Sequence, residues 1–326
     1  MFHCKMAEYM KMLLQQKHLL GKEYITGERH LLKFDSFVIE NFPDSDTITK
    51  EMMHIWAAKR SYEKIGTQRQ RITPVRDLAV LMNKLGKTSY VFPMYTLQHE
   101  QRYPIHIYSK EELSAFFKQV DNCCYSSEVP YRHIVMPILF RMLYCCGLRP
   151  GEARRLLLKD VDLESGILTI RDSKFGNDRL VPMNQELTDM CRAYANTAHI
   201  YSESETPFLL GYRNKMLTDD NLNSNFRRFL RKAGISHGGH GKGPRIYDFR
   251  HTFAVNSLKN MVLSGKDMNA YYPVLKTYMG HSFFKYTEYY LKITKDVFPE
   301  ISAKIEEYFS DLIPQELGDE YENNRF

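Results

Sequence analysis

The sequence predicts a mainly α protein in two parts: a helical N-terminal domain, then a larger, mainly helical domain that carries a small antiparallel β-sheet. Three observations predict it. Apolar residues recur at three- and four-residue spacing through most of the chain, one stretch (residues 166–183) reads as two short strands around a turn, and the helical periodicity lapses between Pro93 and Pro104. At 326 residues the chain is long enough for two cores. We divide it into a helical domain over residues 1–92, a linker over 93–107, a second domain over 108–312 and an acidic tail over 313–326 that holds Glu316, Asp319, Glu320 and Glu322.

The first helix lines up Met6, Tyr9, Met10, Leu13 and Leu14 on one face. A second, beginning near Thr26, carries Leu31, Phe34, Val38 and Phe42 and ends at Pro43. Thr49 caps a third, whose buried side is Met52, Ile55 and Trp56. The fourth is expected to start at Thr73-Pro74, where proline suits the first turn, and to run through Leu78, Ala79 and Met82 to Gly86. Methionines and aromatics at this spacing read as core rather than as a cofactor site. Ahead of and into the fourth helix, Lys59, Arg60, Lys64, Arg69, Arg71 and Arg76 fall within nineteen residues, 59–77, that hold two acids, Glu63 and Asp77. That strip is the expected phosphate-facing surface; the bland alternative is a solvated helix face.

In the second domain, Ser109-Lys-Glu-Glu112 is a capping box that opens a helix with Leu113, Phe116, Phe117 and Val120. After Pro130 a mostly apolar helix passes Ile134, Leu139, Met142, Leu143 and Cys146 and stops at Gly147, which leaves Arg149 in a turn between helices. Glu152, three residues on, is better placed to orient that turn than to do proton chemistry. Residues 166–170 and 179–183 are the strands, and Lys174 rides on the hairpin between them; Arg171 and Lys215 are neighbouring cations. Asn184 caps a helix, and residues 222–233 form another with Phe226, Phe229 and Leu230 inward and Arg227, Arg228, Arg231 and Lys232 on it. The glycine-rich stretch 237–243 lacks the order of a phosphate-binding loop and reads as a flexible connection. Arg250 follows in a helical start, and Val274, Leu275, Tyr278 and Met279 form an apolar face that stops at Gly280. His281 is then in a turn, Ser282 caps the next helix, and Tyr286, Tyr289 and Tyr290 lie on it. Residues 298–312 present Ile301, Ile305, Tyr308 and Phe309 as a stripe in need of a partner.

Composition bounds the function. Lys plus Arg 45 against Asp plus Glu 39 gives +6, so a polyanion partner is permitted only through local basic patches. The six cysteines include the pairs Cys123-Cys124 and Cys145-Cys146, a spacing that suits neither a metal site nor a disulfide framework. They read as reduced, in the cell interior. No apolar run approaches the ~20 residues a bilayer span needs, and the N-terminus lacks a signal-peptide core. A soluble, cytoplasmic protein with no membrane contact is expected.

Four stretches carry chemistry when taken together: Gly147-Leu-Arg-Pro-Gly-Glu152, Lys174 five residues before Arg179-Leu-Val-Pro182, Tyr247-Asp-Phe-Arg-His-Thr-Phe-Ala254, and Gly280-His281 with Tyr290 nine residues beyond that histidine. In this order the chain resembles the tyrosine recombinase (phage integrase) family across about half its length. That resemblance implies a helical core-binding domain ahead of the catalytic domain. It also implies a tetramer assembled on two duplexes of double-stranded DNA, a final helix exchanged between the subunits of this homo-oligomer, and the site residues Arg149, Lys174, Tyr247, Arg250, His281 and Tyr290. No arm-binding domain precedes the first helix in this reading.

A phosphodiester resists attack because its charge repels nucleophiles and its alkoxide leaves poorly. Arg149 and Arg250, with His281 as a third donor, would hold the non-bridging oxygens as charge grows on them. Tyr290 would take the 3′-phosphate, and Lys174 would protonate the departing 5′-oxygen. Neither metal nor other cofactor is required. One position departs from the family: Tyr247 stands where a histidine is usual, and a phenol donates a hydrogen bond but shuttles no proton easily near neutral pH. His251 and His240 are not its equivalents by spacing, and His251 is expected to be structural. The reading is a site-specific recombinase or integrase of a mobile element. A type IB topoisomerase-like nicking-closing enzyme is the enzymatic alternative, and a catalytically impaired DNA-binding regulator, suggested by Tyr247, is the other.

Overall fold

The computed structural model describes residues 1–21, 24–97, 104–171, 178–239, 243–265, 267–280, 289–290 and 293–294. It divides into two compact units, one within residues 1–102 and one within residues 103–317. The hairpin tip with Lys174, residues 240–242 with His240, the turn with His281 and Ser282, Tyr286, the stripe over 298–312 and the acidic tail lie outside the described residues.

Four helices build the first unit: α1 (Ala7–Leu19), α2 (Ile25–Asn41), α3 (Lys50–Ala57) and α4 (Ile65–Lys84). Their stripes meet in one core of Met10, Leu13, Leu31, Phe34, Val38, Met52, Trp56, Val75, Leu78 and Met82. Thr49 caps α3 as its sequence position suggests, its hydroxyl accepting the Met52 N–H at 3.1 Å. Ile55, expected inside, is 52% exposed, and Met53 is buried instead. On a helix of only eight residues the inward face is set by Met52, Met53 and Trp56, and Ile55 falls off its edge.

The fourth helix also differs from expectation, starting at Ile65 and carrying Pro74 inside it. A proline removes one backbone donor there. The Thr73 hydroxyl donates to the Arg69 carbonyl at 2.8 Å, and Gln68 Nε2 donates to the Ala57 carbonyl at 2.8 Å, which anchors the turns before the proline. Arg71 completes that anchor and so leaves the basic strip. It is 2% exposed, donates through Nε and Nη2 to the Glu63 carboxylate at 2.8 and 2.6 Å, and reaches the carbonyls of Trp56 and Ala58. Its guanidinium also sits 5.3 Å from the Trp56 ring centre. Lys59 and Lys64 stay exposed, whereas Arg60, Arg69 and Arg76 are half-buried.

The second unit holds α5 (Lys110–Asp121), α6 (Arg132–Cys145), α7 (Pro150–Arg155), α8 (Gln185–Ala198), α9 (Asp219–Lys232), α10 (Asp248–Leu263) and α11 (Met268–Tyr278). Beside them is a three-stranded antiparallel sheet, β1 (Val161–Asp162), β2 (Ile167–Ile170) and β3 (Arg179–Pro182), in the order β1-β2-β3. Ile167 faces Pro182 and Ile170 faces Arg179. At two residues, β1 is too short to leave a periodic signal. The Ser109–Glu112 capping box forms in both directions, at 3.1 and 2.9 Å, and Asn184 caps α8 through Leu187 N–H at 3.0 Å.

Helix α6 is the apolar centre, buried from Val135 to Phe140 and again at Met142 and Leu143. Phe116, Phe140, Phe226, Phe229 and Phe249 pack in the same core. A second cluster joins α10 to α11 and to Tyr290 through Val255, Leu258, Leu275 and Met279. Val274, expected on that face, is 58% exposed, because Leu275 and Met279, four apart, define the inward direction and Val274 is turned about 100° from it. Gly147 ends α6 at φ +59°, and a Cβ there would come within 2.5 Å of the Phe253 ring, so glycine is needed twice over. No helix among the described residues is long and apolar enough to cross a membrane.

Arg71→Ala would leave the Glu63 carboxylate buried without its partner, and we expect it to cost about 3–5 kcal/mol of stability in urea denaturation. Lys64→Ala, at the surface, should stay within about 0.5 kcal/mol of wild type. A loss under about 1 kcal/mol for Arg71→Ala would return Arg71 to the surface strip.

Candidate active site

The site assembles around a buried carboxylate. Arg149 is the N-cap of α7, where Gly147 has just turned the chain out of α6. Its backbone N–H donates to Glu152 Oε2 at 2.9 Å, its Nη1 to Glu152 Oε1 at 2.6 Å and its Nη2 to the Gly280 carbonyl at 3.1 Å. Arg179, the first residue of β3, grips the same carboxylate with Nη1 and Nη2 at 2.9 and 2.8 Å and donates through Nε to the Tyr278 carbonyl at 2.9 Å. Burial alone would push the Glu152 carboxyl up; Arg179 and then Arg149 more than reverse this and hold it at about 2. Glu152 is therefore ionised at any working pH and orients two guanidiniums, the supporting role its position suggests.

Arg250 lies in the first turn of α10 and is 1% exposed. Its Nη1 donates to the Gly147 carbonyl at 2.6 Å and its Nη2 to the Met279 carbonyl, so the two chain reversals at Gly147 and Gly280 each bring a carbonyl to this one side chain. Tyr247, the N-cap of α10, is half-buried and hydrogen-bonds Arg149. Tyr290 is 3% exposed and hydrogen-bonds Arg250, while Tyr289 beside it is 37% exposed. Burial pushes the Tyr290 phenol up, against the pull of Arg250 and Arg149, and keeps it protonated.

Four of the six expected residues are thus in one cluster: Arg149, Tyr247, Arg250 and Tyr290. Lys174 and His281 fall outside the described residues. Of the neighbouring cations considered beside Lys174, Arg171 is paired with Asp160 at 2.7 Å and Lys215 is exposed. Two further residues of the cluster carry no strong sequence signal. Arg179 enters the motif only as a spacing landmark, although a buried Glu152 demands a second cation. His251, expected to be structural, has Nδ1 3.0 Å from the Tyr290 hydroxyl; Tyr247 and His251 are four apart, and that spacing alone puts both on one face of α10. On α9, Arg227 and Arg231 are exposed, whereas Arg228 bonds Asn225 Oδ1 at 2.7 Å and stacks 5.1 Å from the Phe229 ring centre.

The fold is that of site-specific DNA recombinases whose structures are solved. The chain aligns with the XerH recombinase bound to a palindromic difH substrate at a TM-score of 0.61, with 19% identity, over 85% of this chain and 78% of that one. It aligns with the Tn1549 transposon integrase in complex with a circular intermediate DNA at 0.60, with 15% identity, over 86% and 94%. Residues 108–296 match the model of the phage integrase family. A Sinorhizobium fredii protein, y4rB, whose name assigns it to the integrases and recombinases, is 30% identical over 95% of this chain and 98% of its own. The tyrosine recombinase XerA of Thermococcus kodakarensis is 30% identical over 48% of this chain and 50% of its own. The chain belongs to the phage integrase family.

Replacing the hub carboxylate should show its charge. The folded-state value lies below the ordinary 4.5, so Glu152 stabilises fully above about 4.5 and loses that contribution as pH falls toward about 2. A lowering from 4.5 to about 2 corresponds to about 3 kcal/mol. Glu152→Gln should therefore unfold about 3–5 kcal/mol more easily at pH 7. The gap from wild type should narrow between pH 4.5 and 2 in denaturant titrations, and a gap independent of pH would contradict the ionised hub.

Proposed function

We propose that the chain cuts and rejoins double-stranded DNA at specific sites through a 3′-phosphotyrosyl intermediate on Tyr290, as the recombinase or integrase of a mobile element. The observation that carries this reading is the convergence of Arg149, Tyr247, Arg250 and the Tyr290 hydroxyl from sequence positions up to 141 residues apart. Two guanidiniums beside a phenol suit phosphoryl transfer. They bind a phosphodiester's non-bridging oxygens, stabilise the charge that builds there in the transition state, and draw the phenol toward its ionised form. Glu152 and Arg179 keep Arg149 in place without entering the chemistry. Lys174 would protonate the departing 5′-oxygen and His281 would add a third phosphate donor, roles that rest on motif spacing. The reaction so read needs no metal, since arginines supply the positive charge.

The remaining parts of the reading concern assembly. Residues 1–92 would be a core-binding domain and 108–312 the catalytic domain, joined by the linker over 93–107. The exposed Lys59 and Lys64 with Arg60, Arg69 and Arg76 would follow phosphates on the first, and Arg227 and Arg231 on the second. Exchange of the final helix between subunits would hold a tetramer on two duplexes.

A pool of nicked duplexes of randomised sequence tests the reading even though the target site is undefined, because a cut beside the nick releases a short fragment and strands the protein on DNA. Wild type in the presence of a chelator should yield protein-linked DNA with the adduct on Tyr290, and sequencing it recovers the target. Tyr290→Phe should bind the recovered duplex and form no adduct. Arg250→Ala should cut it ~10²–10³-fold more slowly at nearly unchanged affinity, since most affinity comes from many phosphate contacts. An adduct mapped to Tyr289 or Tyr286, or none at all, would sink the proposal.

The departure from the family at position 247 gives a graded prediction. The Tyr247 hydroxyl accepts from Arg149, which aligns it and leaves its own proton to donate to a phosphate oxygen. Tyr247→Phe should slow cleavage about ten- to a hundredfold, the loss of about 1–3 kcal/mol for one charge-assisted contact. Tyr247→His should remain active. Single-turnover cleavage on the recovered duplex measures both, and a Tyr247→Phe defect as deep as that of Arg250→Ala would make Tyr247 a proton-transfer group instead.

A further inference from the structure

We propose that His251 is the proton acceptor for Tyr290 during strand cleavage and returns that proton during rejoining, in place of the histidine that the chain lacks at position 247. This role deepens the functional reading above and rests on Tyr290 being the nucleophile.

The hydrogen-bond chemistry of the Tyr290 hydroxyl carries it. Arg250 and His251 Nδ1 both meet that oxygen, the latter at 3.0 Å. A guanidinium only donates, so the Arg250 contact occupies a lone pair of the phenol oxygen and cannot take its proton. In the tautomer that carries its hydrogen on Nε2, the imidazole offers Nδ1 as an acceptor 3.0 Å from the hydroxyl, in place to take its proton. The ring must be neutral for that, and it is: burial, then Arg245 and Arg250, push His251 down to about 4. Among the described residues, the charged and titratable groups facing it are Arg245 ahead of α10, Tyr247 and Arg250 at its start, with the Tyr247 ring centre 5.2 Å away, and Tyr290 from beyond α11 with its ring centre at 5.5 Å.

So weak a base suits the step. In cleavage the Tyr290 oxygen bonds to phosphorus, the bond from phosphorus to the 5′-oxygen breaks, the phenolic proton passes to Nδ1, and the departing 5′-oxygen would take a separate proton from Lys174, the donor in the reading above. The proton becomes acidic only as the new bond forms, so the acceptor needs position more than basicity. A phosphate entering beside Arg149 and Arg250 would also offset the positive field that, after burial, lowers the imidazole's basicity, and make it more basic when it is needed. In rejoining, the 5′-hydroxyl attacks phosphorus and would give its proton back to Lys174, Tyr290 departs, and the imidazolium returns the other proton to it.

Single-turnover adduct formation on the duplex recovered by trapping, followed from pH 6 to 9.5, tests the assignment with His251→Ala and His251→Asn. Asparagine keeps an acceptor oxygen close to the Nδ1 position but takes no proton. Both variants should form the adduct about 10²-fold more slowly at pH 7, the range for loss of a positioned base, with DNA affinity unchanged and the deficit shrinking as hydroxide takes over at high pH. A wild-type rate for His251→Asn, or a deficit that stays constant with pH, would mean that His251 only positions Tyr290 and would overturn the proposal. Mapping the wild-type adduct in the same reaction separates this outcome from an error about the nucleophile, because an adduct on another tyrosine removes Tyr290 itself.

Discussion

One carboxylate holds the candidate site together. Glu152 is 4% exposed, and it accepts from two guanidiniums and a backbone N–H, which in turn reach the carbonyls of Tyr278 and Gly280. Through it the start of α7, strand β3 and the end of α11 are tied at one point. An isolated carboxylate would not tolerate this burial, and two isolated arginines would repel one another; only the combined cluster is electrostatically tolerable. Moving any of the three elements therefore breaks a hydrogen bond to a guanidinium of the cluster.

Arg250 shows the same logic with backbone instead of side-chain partners. Burial and the nearby Arg149 both work against its charge, and carbonyls of Gly147 and Met279 supply the compensation. Those carbonyls sit at chain reversals that need positive φ, +59° at Gly147 and +61° at Gly280. Local backbone chemistry at two glycines thus fixes a guanidinium far from them in sequence. A donor set held this rigidly needs little reorganisation when charge develops on a bound phosphate, which is the condition for electrostatic catalysis.

Much of this is legible in the sequence. Periodicity and caps locate every helix of the first unit and both longer strands, because stripes on long helices and caps at Thr49, Ser109 and Asn184 are local signals. The failures share a cause. Spacing puts Ile55 and Val274 inside, but short helices leave the inward direction to their neighbours. Pro74 looks like a helix start because the contacts that carry α4 past it, Gln68 to Ala57 and Arg71 to Glu63, are not encoded in any local pattern. Arg71 groups with the surface cations for the same reason: a charge count does not reveal which cation has a buried acid waiting. Of the candidate site, motif spacing names Arg149, Tyr247, Arg250 and Tyr290, which lie in one cluster, and gives no sign of the contacts Arg179 makes with Glu152 or His251 with Tyr290.

His251 escapes notice because spacing and geometry measure different things. A motif records which residue type recurs at a position, and at position 247 this chain offers a tyrosine. Geometry records which atoms meet, and one helical turn later the same face of α10 offers an imidazole. Tyr247 reaches toward Arg149 and His251 toward Tyr290, so two side chains on one face address a guanidinium and a phenol separately. A phenol at 247 would deprive the proposed reaction of a proton carrier only if no other group touched the Tyr290 hydroxyl, and His251 Nδ1 lies 3.0 Å from it.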